Sequence, residues 1–379
     1  MLNNLNTHRN YLHTIPEIAL NEFKTAAYIR EILDKENVEY HCVGTSTVAF
    51  IPGESDHCIA FRADIDALPL TEESTNPFKS EIPGMMHACG HDGHTAMLLT
   101  FIQEVKLLIS QGTQLKKSLV FIFQAGEEGA GGARFIVADN YYKSKNIEAI
   151  YALHVYPEIK VGEFAVKSGF VSLQNINLDI VLTGKGCHGA QPHKGIDSIL
   201  IGAKLVEAYQ SIKSRNIPSY EHFLLTIGAF HAGTVRNIIP GTVNMLGTIR
   251  LENISLIPFI QERMEHINQG FELAFDVKID MKFQPFYPPV INDSTLFEKA
   301  LKALKDKKVF TDIALSGSED FSFYSQNGTP GLLVLVGVRD EEKGHVCALH
   351  NNRFDFENEA LIHGVEFFKS LLQENNAVS

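Results

Sequence analysis

"SLVFIFQAGEEGAGGARFIVADNYYKSKNIEAIYALHV", residues 118–155, decides the fold. The apolar run "SLVFIFQ" (118–124) is too continuous for a half-exposed strand and reads as one buried on both faces. "GARFIVADNYY" (132–142) reads as a helix and "IEAIYALHV" (147–155) as a second buried strand. Strand, helix and strand in that order imply an α/β domain, with a parallel or mixed sheet covered by helices. Towards the N-terminus the same alternation continues. "TAAYIREILDKENV" (25–38) has the apolar spacing of an amphipathic helix, and "CIAFRADIDALP" (58–69) is a strand running into a loop. "TAMLLTFIQEVKLLI" (95–109) is apolar on too many sides for a surface helix, which places it within the core.

Beyond residue 170 the pattern changes. "NINLDIVLTG" (175–184) alternates like a half-exposed strand, and a helix, two strands, a helix and a strand follow. The order βαββαβ is the ferredoxin-like arrangement of a small two-layer domain. "PFYPPV" (285–290) reads as a crossing linker, after which "FEKALKAL" and "GLLVLVGV" return to helix and buried strand. The expected architecture is a three-layer, mixed-sheet α/β domain built from residues 1–170 and 286–379, with an α+β domain of residues 171–285 inserted into it.

Composition narrows the partners. Thirty-three Lys and Arg against 45 Asp and Glu give a formal charge of -12, which repels phosphate backbones and anionic membrane surfaces. No apolar run approaches the roughly 20 residues of a membrane span, and "MLNNLNTHRNYLHTIPE" lacks the charged-then-apolar pattern of a signal peptide. Five scattered cysteines, 42, 58, 89, 187 and 347, form no disulfide framework. A cytoplasmic protein with a small-molecule substrate, binding neither nucleic acid nor membrane, is expected.

In open α/β sheets, ligands bind beyond the carboxyl ends of the strands. Four strands run towards acid-base or metal-binding residues: "IAFRAD" ends at Asp64 with Asp66 just beyond, "LVFIFQ" leads to Glu127 and Glu128, "AIYALH" ends at His154, and "LLVLVGV" leads towards His350. The segment "MHACGHDGH" (86–94) adds Cys89 and His91, which in an extended loop would point the same way. Thiolate, imidazoles and carboxylates together suit zinc, manganese, cobalt or nickel. Adjacent Glu127 and Glu128 diverge, so one can bind metal while the other moves a proton. "GKGCHG" (184–189) mimics a dinucleotide-binding loop, but the next helix begins only around Ile196, too late to meet a pyrophosphate. His188 and His193 are the notable residues of that glycine-rich loop.

These residues fall within motifs that resemble, nearly end to end, the dinuclear metal-dependent amidohydrolase and carboxypeptidase family of aminoacylases, hippurate hydrolase, auxin-conjugate hydrolases and N-acetyldiaminopimelate deacetylase. The motifs include "RADIDALPL", "MHACGHDGH", "FQAGEEGAGG", "GKGCHGAQPH", "GTVRNIIPGTVNMLGTIR", "GSEDFSFY" and "ALHNNRFDF". The resemblance implies two divalent metal ions bridged by Cys89, with His91 and His154 on one and Glu128 and His350 on the other. It implies Glu127 as the general base, Asp64 as an orienting acid behind a ligand, and His188 as a donor to the substrate carbonyl. Asn237 and Arg250 would hold a substrate carboxylate, with His193 on the same side. The inserted domain would serve as lid and homodimer interface. "FQAGEEGAGGA" and "VGEFAVKSG" are most similar to deacetylases of N-acetyl-L,L-diaminopimelate in lysine biosynthesis. A broad N-acyl-amino-acid or hippurate hydrolase, a metallo-carboxypeptidase or dipeptidase, and a non-catalytic metal-binding protein remain as alternatives.

Overall fold

The computed structural model describes residues 1–315 and 317–379. Met1–Val171, Val290–Ala314 and Glu319–Ser379 form one compact unit; Ser172–Pro289 with Leu315, Gly317 and Ser318 form the other. The mixed-sheet α/β architecture read from the sequence is the one observed. In the first unit an eight-stranded sheet runs in the order Glu39–Val43, Ser46–Ile51, Lys117–Gln124, Ser55–Asp64, Asn146–Lys160, Gly331–Arg339, Phe164–Ala165 and Val309–Phe310. Its four central strands, Lys117–Gln124 to Gly331–Arg339, are parallel to one another. Their central residues are buried because parallel strands are covered on both faces. Their registers set Asp64 beside Gln124, Arg62 beside Ala152, and His154 beside Leu335. The long helix His91–Ser110 packs against the sheet and against the helices Leu2–Thr14 and Ala360–Glu374.

Three local expectations are corrected. "MHACGHDGH" is not extended throughout: the helix begins at His91, with Gly90 in the left-handed conformation (φ +84°) just before it. Gly93 lies inside the first turn, where glycine is ordinarily unfavourable. It is required there because a Cβ would come 2.8 Å from the Phe356 ring and 3.2 Å from Leu361. The strand bearing His154 does not end at that residue but continues to Lys160, because Gly331–Arg339 keeps pairing with it. The segment 132–142 also divides into two short helices, Ala133–Ala138 and Asn140–Lys143, at an extended Asp139 whose side chain caps the second.

The second unit has the order βαββαβ, with a four-stranded antiparallel sheet arranged Phe223–Ala232, Thr242–Leu251, Gln174–Thr183, Lys278–Pro285. Alternation along Gln174–Thr183 turns Ile176, Leu178, Ile180 and Leu182 into a core shared with Leu205, Tyr209 and Ile260 of the two helices. Asp197 starts the first helix by accepting the backbone N–H groups of Ile199 and Leu200, each at 3.1 Å. Among the described residues no helix is long and apolar enough to cross a membrane.

Candidate metal centre

The first unit gathers seven of the predicted site residues, Asp64, Cys89, His91, Glu127, Glu128, His154 and His350, at the carboxyl end of its central strands. Cys89 precedes the left-handed Gly90, and the turn between them sends the thiol and the His91 ring to one place. One ligand atom each from Cys89, His91 and His154 lies within 4.8 Å of the others, and the same holds for Cys89, Glu128 and His350. Cys89 therefore belongs to both triads. Its Sγ is 3.5 Å from His154 Nε2, while His350 Nε2 is 3.1 Å from Glu128 Oε1. Glu127, almost fully buried, forms a third close set with His91 and Glu128. His350 reaches the cluster from a backbone in the left-handed region (φ +62°), held by its N–H to the Ala88 carbonyl at 2.8 Å.

Several of these polar atoms have no hydrogen bond although they are buried. Both ring nitrogens of His91 and Oε1 of Glu128 are in this state. Glu128 Oε1 is within ion-pair reach of His350, but the two are not aligned as donor and acceptor. Buried polar groups are nearly always satisfied, so lone pairs converging without partners are what a cation would require. The charges agree. Burial opposes ionisation of the Cys89 thiol, but the imidazoles of His154 and His91 bring it down to about 6. Burial likewise opposes a charged His154, yet the Cys89 sulfur raises it to about 9. The neighbouring Cys89 sulfur and Glu128 carboxylate raise His350 to about 10. Protons on these imidazoles stand where metal charge would act, and the donor set fits borderline transition metals. Glu127 differs: burial, then the neighbouring charges of Glu319 and Glu128, push its carboxyl well above the ordinary range.

Residues assigned to the substrate side lie in the second unit. His188 and Ile238 pair on a short two-stranded ladder, and the Gly189 N–H donates to the Asn237 carbonyl at 2.8 Å. His188 and Asn237, distant in sequence, are thereby neighbours. His188, His193 and Asn237 are exposed. Arg250 is half-buried, and its Nη1 donates to Asn175 Oδ1 at 2.5 Å and to the Thr248 hydroxyl.

Comparison with known proteins identifies the chain. Residues 60–374 match the model of peptidase family M20/M25/M40. The chain belongs to this family. An uncharacterized hydrolase of Staphylococcus aureus is 35% identical over 375 residues, covering 98% of each chain. A crystal structure of a candidate aminohydrolase from methicillin resistant Staphylococcus aureus superposes with a TM-score of 0.90 at 28% identity, covering 99% of this chain and 97% of that one. YXEP of Bacillus subtilis, described as a dinuclear metal binding peptidase from the M20 family, superposes with a TM-score of 0.82 at 30% identity, covering 98% and 97%. This M20 family member is a hydrolase.

The M20 site also contains residues to which the sequence gave no role: Arg62, His94, and Asp66, which was expected only as an acidic residue just beyond the strand end. Arg62 is fully buried and donates to Asp64 at 2.7 Å, Asp320 at 2.8 Å and Glu319 at 3.0 Å. An arginine in the middle of the apolar strand "IAFRAD" was the available signal. Asp66 accepts the backbone N–H of Glu127 at 3.1 Å and of Glu128 at 2.8 Å, and lies 3.4 Å from His91 Nδ1. One carboxylate thus holds the glutamate turn and faces a predicted ligand. His94 bonds to Asp64 and to the strand bearing His154. Its spacing from His91 is helical, a relation hidden when the cluster is read as extended.

Proposed function

We propose that this M20 hydrolase cleaves the acyl amide of an N-acyl amino acid with two divalent cations, drawn from zinc, manganese, cobalt and nickel. The observation that carries the proposal is the thiol common to two ligand triads beside a buried carboxyl. The relative described as a dinuclear metal binding peptidase supports the same reading. Cys89 would be shared, His91 and His154 would complete one site, and Glu128 and His350 the other. Bound there, the cations supply a Lewis acid for the amide carbonyl and acidify the attacking water.

The protein's own residues do the rest. Asp66 fixes the turn that brings Glu128 to the ligand set and keeps the Glu127 carboxyl close beside it, where it would exchange a proton. Glu127 takes a proton from the attacking water, and its high proton affinity lets it retain that proton until the departing amine accepts it. Asp64, held between Arg62 and His94, orients the imidazoles around it. On the second unit we assign His188 to the substrate carbonyl, and Asn237, Arg250 and His193 to the substrate's amino-acid end. A guanidinium suits a carboxylate because it offers a planar pair of donors. Within this class we take N-acetyl-L,L-diaminopimelate as the substrate, on the similarity of "FQAGEEGAGGA" and "VGEFAVKSG" to such deacetylases.

Free-amine release tests the proposal, using protein as purified, chelator-stripped, and restored with single metals. N-acetyl-L,L-diaminopimelate, hippurate, N-acetylmethionine and dipeptides form the panel. Amine is expected only with metal and chiefly from the first substrate. Preference for another acyl amino acid or a dipeptide overturns the substrate, and silence on all with metal bound overturns the catalytic reading.

A further inference from the structure

We propose that His94 is a positioning residue for the imidazole of His154, acting through the backbone of Val155. The strand Ser55–Asp64 pairs with Asn146–Lys160 only as far as Arg62 opposite Ala152, so the strand bearing His154 runs on without that neighbour. His94, buried in the first turn of the helix His91–Ser110, supplies a partner in its place. Its Nε2 accepts the Val155 N–H at 2.8 Å, and its Nδ1 lies 2.5 Å from Asp64 Oδ1. A neutral imidazole accepting through one nitrogen carries its proton on the other. The His94 proton therefore sits on Nδ1 and is donated to Asp64.

Val155 passes the constraint on. Its carbonyl accepts the Nδ1–H of His154 at 2.7 Å, which leaves His154 Nε2 to face Cys89 Sγ at 3.5 Å. Asp64 orients His94, His94 fixes the backbone of Val155, and that backbone sets both the ring orientation of His154 and the nitrogen it presents. Asp64, His91 and His94 also lie close enough to share an ion. Both His94 nitrogens are already engaged, so His94 holds a ligand and is not one itself.

The test titrates metal-free wild type, His94→Asn and His94→Gln with cobalt(II), reading visible absorption, competition with a chromophoric chelator, and Tm. Asn keeps a donor near Nδ1 for Asp64 but does not reach Val155. Gln places an acceptor near Nε2 and restores the bond to Val155. His94→Asn is expected to weaken one cobalt equivalent by about 10- to 100-fold, the usual size of such supporting contacts, and to change its spectrum. His94→Gln should recover most of that loss. Unchanged cobalt affinity and spectrum in both variants, even with a lowered Tm, overturn the proposal, since a residue that only fills space would behave so. If His94→Asn does not fold, ¹⁵N-histidine spectra of zinc-loaded wild type decide: a His94 proton on Nδ1 supports the proposal, and one on Nε2 overturns it. The inference rests on His154 being a metal ligand. Wild type that takes up no cobalt overturns that reading, whereas wild-type uptake unaltered by the substitutions overturns only the role of His94.

Discussion

The two groups of residues assigned to function are built in opposite ways. In the first unit, Cys89, His91, Glu127 and His154 are buried, and much of the polar shell behind them is fixed. Asp66 holds the glutamate turn, Arg62 and His94 hold Asp64, and Val155 holds His154. In the second unit, His188, His193 and Asn237 stand exposed on short ladders and turns. Arg250 is anchored through Asn175 and Thr248, and the His188 ring accepts the nearby Ala190 N–H, two residues along the chain. Reactive groups need low mobility and shifted proton affinities, which burial provides. Groups that recognise a substrate can stay hydrated until it arrives.

The contrast predicts that changes in the first group alter turnover or stability, while changes in the second alter apparent affinity. The largest effect is expected at Glu127. Glu127→Gln should retain both metals and the wild-type Tm yet lose on the order of 10² to 10⁴ in turnover, the usual size of an acid-base contribution. Near-normal turnover would remove Glu127 from the mechanism. Next is Arg62→Met, which leaves Asp64, Glu319 and Asp320 without their buried cation. Unfolding in denaturant should show a loss of about 3 to 5 kcal/mol, as for other broken buried ion pairs. A loss below about 1 kcal/mol would mean that the cluster is neutralised by other means.

His13 provides a pH test of the same buried region. Burial opposes its protonation, but the charge of Asp92, 2.7 Å away, raises it from 6.5 to about 9. A folded-state value above the unfolded one means that its contribution is complete below about pH 6.5 and disappears as pH rises through about 9. The Tm advantage of wild type over His13→Gln should therefore shrink between those limits, and an advantage that grows with pH would reverse the sign of the assigned interaction. The smallest effect is expected in the second unit. Arg250→Lys removes the planar pair of donors and should raise KM about tenfold, roughly 1.4 kcal/mol, with little change in kcat or Tm. A fall in kcat of the same size would place Arg250 among the residues that act on the reacting atoms.

Much of the fold was legible because buried strands must be apolar along their length. "SLVFIFQ", "IEAIYALHV" and "GLLVLVGV" became the strands Lys117–Gln124, Asn146–Lys160 and Gly331–Arg339. The N-terminal helix Leu2–Thr14 and the C-terminal helix Ala360–Glu374 were not read. The first has the weaker amphipathic pattern, and its Arg9, His8 and His13 are buried by pairing with other polar groups. The start of the central helix was misplaced because Gly90 and Gly93 look like helix breakers. One supplies the left-handed residue before the helix and the other leaves room for Phe356, a residue far along the chain.

By itself the sequence determined the alternation of elements, the βαββαβ order of the second unit and the chemical types available for a centre. Those depend on local periodicity and residue chemistry. Only the tertiary structure decided that Cys89 is common to two triads, that Asp66 ties down the glutamate turn, and that His94 reaches the strand of His154. These relations arise where separate segments meet at one end of a sheet, and strand register and helix packing set the distances between them.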